Sequence, residues 1–179
     1  MMSVGHKVAT LFKGGGVSLR QIGTKCYLPN SLLGTYRYLM ARSPHFNPAA
    51  ATSLRVVLPN WYVTQGSAGK ETGTGGTVTF TASIEYPAGV FTQITFGGSV
   101  TSPAIADLSQ VVSDPVAVAI PANTLYWVRV FGVFAAGLPF STSPISNYDN
   151  TNGQRTNVSI GSISDQTMGG TVAKATYVP

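Results

Sequence analysis

The chain has 179 residues, 44% of them hydrophobic and only 9% charged, with a formal net charge of +5. That balance excludes a largely disordered chain, and no apolar run reaches the ~18 residues of a membrane-spanning helix. A lone cysteine, Cys26, excludes an internal disulfide framework.

The net charge conceals a split. Every charge before Glu71 is positive: Lys7, Lys13, Arg20, Lys25, Arg37, Arg42, Arg55 and Lys70. All acids lie from Glu71 onward: Glu71, Glu85, Asp107, Asp114, Asp149 and Asp165. Such asymmetry points to an interaction arm.

In chain order, residues 1–51 read as an irregular basic arm. The start lacks the continuous apolar region of a signal peptide. Three glycines, Gly14, Gly15 and Gly16, suit neither a helix nor a strand interior. Ser31 is placed to cap a turn or two of helix carrying Leu32, Leu33, Tyr36 and Leu39. The segment is too apolar for a free linker, so it is expected to pack on its own domain or on a neighbour. As a docking device its bases are Lys7, Lys13, Arg20, Lys25, Arg37 and Arg42. Its apolar anchors are Leu32, Leu33, Tyr36, Tyr38 and Leu39, with Phe46 beyond them.

Residues 52–179 read as β throughout. "SLRVVLPNWYV" is an apolar strand in which Pro59 suggests an edge or a bulge. "TVTFTASIEY" alternates cleanly: Val78, Phe80, Ala82, Ile84 and Tyr86 share one face, and Thr77, Thr79, Thr81, Ser83 and Glu85 the other. Across "PAG" it forms a hairpin with "VFTQITF". "QVVSDPVAVAI" and "TLYWVRVFGVF" flank "PANT" and read as a second pair. The latter is apolar on both faces, hence central, and leaves Arg129 in need of a partner or a path to solvent. A polar loop, "STSPISNYDNTNGQRT", precedes two short strands, "NVSIGSI" and "GTVAKATYV". Short strands with Gly/Pro turns and no long helix indicate an antiparallel β-sandwich or jelly roll behind the arm.

The chemistry-bearing residues are few. His6 and His45 lack metal-ligand spacing, and Cys26 has no C-x-x-C partner. No serine sits in a nucleophile frame. The acids are scattered, and Glu85 is expected to be solvated on the outer face of its strand. Asn147, Asp149 and Thr151 are spaced like oxygen ligands, but the turn glycine and the distal glutamate of a calcium loop are missing. The expectations are therefore no catalytic residue, no metal and no cofactor. Bases spread singly do not favour nucleic acid. Trp61, Tyr62, Tyr126 and Trp127 lie in apolar strands and read as core.

The strings "VVLPNWYV", "TASIEYPAGVFTQITFGGS" and "VSDPVAVAIPANTLYWVRVF" resemble the β-rich region that precedes the SGNH (GDSL-type) hydrolase domain in a set of phage and bacterial proteins. The resemblance covers Val56 to about Phe131. The chain carries no G-D-S, G-x-N-D or D-x-x-H block, so no catalytic residue is implied. What the resemblance implies is a β-sandwich module used by itself in a phage-like setting. The expectation is a non-enzymatic virion protein, a capsid decoration or a tail component, that docks on other virion proteins and self-associates. The alternative is a glycan- or receptor-binding accessory module, with Tyr148, Asp149 and Asn152 as its contact loop.

Overall fold

The computed structural model describes the backbone of residues 7–12 and 18–21 and all atoms of 29–64, 69–140 and 151–173. Among these residues there are strands and no helix. One five-stranded sheet runs β14 (Arg155–Ser159), β4 (Tyr38–Asn47), β12 (Thr124–Phe134), β8 (Val78–Glu85) and β9 (Phe91–Gln93). The other runs β10 (Gln110–Val112), β5 (Ala51–Pro59), β1 (Lys7–Phe12) and β2 (Ser18–Gln21), with β11 (Val116–Ile120) also on β5. Every pairing is antiparallel.

The sheets bury their facing sides in one core. Val78, Phe80, Ala82 and Ile84 of β8 point inward, as their alternation predicts. Leu39 and Ala41 of β4 join them, with Tyr126, Val128, Val130 and Phe134 of β12. The opposite sheet contributes Leu54, Val56, Leu58, Val116 and Ile120. Each fully buried aliphatic or aromatic side chain of this kind stabilises the fold by about 1.5–3 kcal/mol. His45 belongs to this interior: it is buried and stacks on Tyr126 at 5.4 Å between ring centroids.

One end is closed by two small ribbons. β3 (Ser31–Leu33) pairs with β13 (Leu138–Phe140), and β6 (Trp61–Val63) with β7 (Glu71–Gly73). Buried Asn60 organises the turn between β5 and β6. Its amide nitrogen donates to the carbonyls of Gly76, Ile105 and Ala106, and its side-chain oxygen accepts from Thr74. All the polar groups of this side chain are thereby matched, as a buried amide requires.

Four expectations change. The helical turn at 31–39 is absent, because Leu32 and Leu33 pair in β3 instead and Tyr36 turns the chain into β4. β5 is an interior strand of its sheet, and Pro59 is its last residue, where no further ladder donor is needed. "QVVSDPVAVAI" splits at Ser113–Pro115 into β10 and β11, and both pair with β5 rather than with β12. The "PANT" connection therefore crosses between the sheets. Gly170–Ala173 is irregular, and the rest of that expected last strand lies outside the described residues.

The largest correction concerns residues 1–51. The structure builds β1, β2, β3 and β4 from them, and β4 lies between β12 and β14. From Pro29 onward this stretch is part of the sandwich. The alternation Leu39, Ala41, His45 and Asn47 inward was obscured by Pro44 and by apolar Met40 on the other face.

Gly132 marks how tightly the core is filled. It sits on β12 against Phe80 and Phe134, whose rings pack edge to face at 5.7 Å and 83°. A Cβ at Gly132 would lie 2.9 Å from Phe80 Cε1 and 2.8 Å from Phe134 Cε2. Gly132→Ala is expected to cost about 1–3 kcal/mol, the usual penalty for overpacking. An equilibrium urea titration reads this as a lower midpoint; an unchanged midpoint would mean that the two rings slide apart freely.

Candidate functional site: an arginine row on the outer face

The outer face of the β4 sheet carries the charge that the core excludes. Strand alternation puts Arg42 outward on β4, Arg129 outward on β12 and Arg155 outward on β14. Register then aligns them: Arg155 pairs with Arg42, and Arg42 pairs with Arg129. Three guanidinium side chains thus stand side by side across three adjacent strands. Like charges directly opposite each other destabilise a sheet.

Glu85, at the end of β8, offsets part of this. Arg42 donates to both carboxylate oxygens, Nε to Oε2 at 2.7 Å and Nη2 to Oε1 at 2.8 Å. Arg129 Nε donates to Oε2 at 2.8 Å, and the Gly89 amide donates to Oε1 at 3.0 Å. The side chain of Glu85 is 3% exposed, that of Arg129 7% and that of Arg42 15%. Burial alone raises the carboxyl pKa. Hydrogen bonds from Arg42, Gly89 and Arg129, with the positive charge of Arg129, outweigh it and hold the pKa at about 2. The expectation of a solvated Glu85 is therefore corrected: the outer face of β8 is covered here, and Ser83 is buried with it.

Two chain segments form the cover. The turn at 151–154 lies over Arg42 and Trp127: Arg42 Nη1 donates to the Gly153 carbonyl at 2.7 Å, and Trp127 Nε1 to the Asn152 carbonyl at 2.7 Å. The Arg42 guanidinium stacks 4.1 Å above the Trp127 ring. Gly153 has φ +70°, and a Cβ there would collide with the Arg42 guanidinium, so the residue must be small on both counts. The second segment, Asp165–Val172, is pinned by Thr81 to Asp165, by Ser83 to the Thr167 carbonyl, and by Arg129 Nη1 to the carbonyls of Gln166 and Gly170. On the other side Arg129 lies 4.6 Å above the ring of Phe91.

A cavity of about 200 Å³ remains between sheet and cover. Arg42, Arg129 and Arg155 line it from the sheet, and Gly153, Gly170 and Thr171 from the covering segments. Glu85 is bonded by Arg42 and Arg129, and Arg155 stands next to Arg42 in register. Among the described residues no three His, Cys, Asp or Glu side chains converge on a metal position.

The docking residues expected from sequence fall in different places. Leu32 pairs in β3, and Leu33 and Tyr36 pack against the core. Arg37 donates to the carbonyls of Gly34 and Tyr36. Tyr38 opens β4, half-buried, and Leu39 is fully buried. Among those whose side chains are described, Arg42 is the one that reaches the cavity. From Pro29 onward these positions are structural parts of the domain itself, the first of the two packings expected of the segment, and its irregular, arm-like reading is corrected. Lys7 lies on β1 and Arg20 on β2. Lys13, Lys25, Tyr148 and Asp149 lie outside the described residues. Asn152, expected as a loop contact, meets Trp127 through its backbone carbonyl.

Sequence reasoning missed Arg155 and the partnership of Glu85 with Arg42. Its one signal here was Arg129, a base in an apolar strand that demanded a counter-charge. No protein-family model matches this chain, and comparison with curated proteins and with solved structures finds no match.

Proposed function

We propose that the protein is a non-enzymatic structural module that acts by docking and self-association, as a component of a phage particle such as a capsid decoration or a tail part. The observation that carries the docking reading is where the charges go. Among the described residues Arg42 and Arg129 both bond Glu85, and Arg55 bonds the Ser113 carbonyl. Asp107 bonds the Gly75 amide, Asp114 bonds Thr95 and Gly98, and Asp165 bonds Thr81 and Thr167. Beside the few exposed charges, Lys70, Glu71, Asp107 and Asp165, the outside carries hydroxyls, amides and exposed apolar side chains, among them Phe46, Val90, Leu108, Val112 and Ile160.

Such a surface is inexpensive to desolvate, because a hydroxyl that finds a new hydrogen bond loses far less than a buried charge. Among the described residues β2 and β9 end their sheets, each paired on one side only, and edge strands are templates for further pairing. The phage setting is supported by the resemblance of Val56–Phe131 to the modules preceding SGNH-type hydrolases. Light scattering coupled to size exclusion tests the self-association. The expected result is an oligomer that persists on dilution to micromolar concentration. A monomer that is also missing from a mass-spectrometric inventory of particles from the source phage would overturn the reading.

A further inference from the structure

We propose that the free edge of β9 is the self-association contact, pairing antiparallel with β9 of a second copy about a two-fold axis at Thr92. The inference rests on the self-association proposed above and names its surface. β9 ends its sheet, with β8 on one side and no strand on the other among the described residues. The register shows which of its groups are open. Tyr86 N donates to the Val90 carbonyl and Ile94 N to the Ala82 carbonyl, so Val90, Thr92 and Ile94 turn their main-chain groups toward β8. Phe91, Gln93 and Thr95 turn theirs away. Asp114 closes the edge at Thr95: its amide donates to the Thr95 carbonyl at 2.8 Å, and its carboxylate accepts from Thr95 Oγ1 at 2.8 Å. Phe91 and Gln93 keep two N–H and two C=O groups that no described residue bonds.

These open groups are self-complementary. A two-fold axis at Thr92 sets Phe91 opposite Gln93 of the second copy, and Gln93 opposite its Phe91. Each such pair exchanges both of its hydrogen bonds, as in any antiparallel ladder, and every open group on both copies is then satisfied. The neighbouring registers do less. An axis at Phe91 sets Gln93 against Gly89, whose amide Glu85 already holds. An axis at Gln93 sets Phe91 against Thr95, whose carbonyl Asp114 already holds.

The side chains suit a second copy as well. Val90–Phe96 carries no charge, no proline and no glycine. Edge strands that stay single are commonly guarded by charge, proline or a bulge, and β9 has only its shortness. Two copies therefore meet without like-charge repulsion. Thr92 stands opposite Thr92, a favourable cross-strand pair. Val90, 52% exposed, comes opposite Ile94 of the second copy. Phe91 is already held beneath the Arg129 guanidinium, so the edge is ordered before it pairs. A foreign strand could share the backbone bonds but not this symmetry. Pairing joins the two five-stranded sheets into one continuous sheet.

Cysteines placed along β9 test the register. In the full chain carrying Cys26→Ser, Thr92→Cys should form a disulfide-linked dimer in a glutathione redox buffer. The pair on the axis is not hydrogen-bonded, which brings its Cα atoms to about 4.5 Å, within disulfide range. Gln93→Cys should not crosslink, because its two copies are offset along the strands beyond the ~7 Å that a disulfide spans. Gln93→Pro removes an open N–H without touching the β8 ladder. It should keep the β signature in circular dichroism and lose the oligomer in light scattering. If that variant does not fold, the cysteines still decide. An oligomeric wild type in which Thr92→Cys stays uncrosslinked, or in which both cysteines crosslink alike, overturns this contact and leaves self-association to another surface. A folded Gln93→Pro chain that remains oligomeric does the same. A monomeric wild type overturns the contact and the self-association together.

Discussion

Deleting residues 1–51 is expected to abolish folding outright. The deletion removes β4, a ten-residue strand that lies between β12 and β14 along its length. Without it β14 has no partner among the described strands, and one whole edge of β12 opens. Leu39, Ala41, His45 and Asn47 leave the interior, and Tyr126, Val128 and Val130 lose their neighbours on that side. Glu85 loses its bidentate partner, Arg42. A single domain is stable by only about 5–15 kcal/mol. Removing Leu39 alone from a filled core costs about 2–5 kcal/mol, and the exposed ladder adds to that. Circular dichroism should show loss of the β signature, with rapid proteolysis. A truncated chain that keeps a cooperative β unfolding transition would show that β12 tolerates life as an edge and that the first 51 residues are dispensable to the fold.

The same strand shows what the sequence could and could not disclose. β8 was legible because one face is wholly apolar and the other hydroxylic, so a period of two stands out. β12 was legible as central because it is apolar on both faces. β4 was not, because its outward face carries Met40, Arg42 and Pro44, which interleave with inward Leu39, Ala41 and His45 and erase the period. A proline in the middle also argues against an interior strand, yet Pro44 lies opposite Trp127 within the ladder. The basic run before Glu71 suggested an arm by charge alone. Charge along a chain does not reveal that Arg42 meets an acid 43 residues later. Pairing between distant strands decides that, and only Arg129, stranded in an apolar segment, hinted at it. The cavity was invisible for the same reason: its three arginines come from three strands and its walls from two separate segments.

Replacing Glu85 by Gln is expected to destabilise the protein by about 3–5 kcal/mol at neutral pH, the cost of leaving buried charges without their partner. Arg42 and Arg129 would keep their places beneath the cover, held by the Gly153, Gln166 and Gly170 carbonyls, with no carboxylate between them. The effect carries a pH signature. In the unfolded chain the carboxyl titrates near its ordinary 4.5, and in the folded chain near 2. Between these values the unfolded state binds more protons, so stability falls as the pH is lowered. The contribution of Glu85 is complete above about pH 4.5 and is lost as the pH drops toward 2. A difference of about 2.5 pH units corresponds to about 3 kcal/mol at 1.36 kcal/mol per unit, in line with the substitution. Urea midpoints of wild type and Glu85→Gln, measured from pH 7 down to pH 2, separate this group from the rest. Asp114, whose pKa is also lowered, titrates in both proteins and cancels in the comparison. The gap between the two should be constant down to about pH 5 and then narrow steadily. A gap that stays parallel to pH 2 would show that Glu85 serves by its shape and hydrogen bonds and not by its charge.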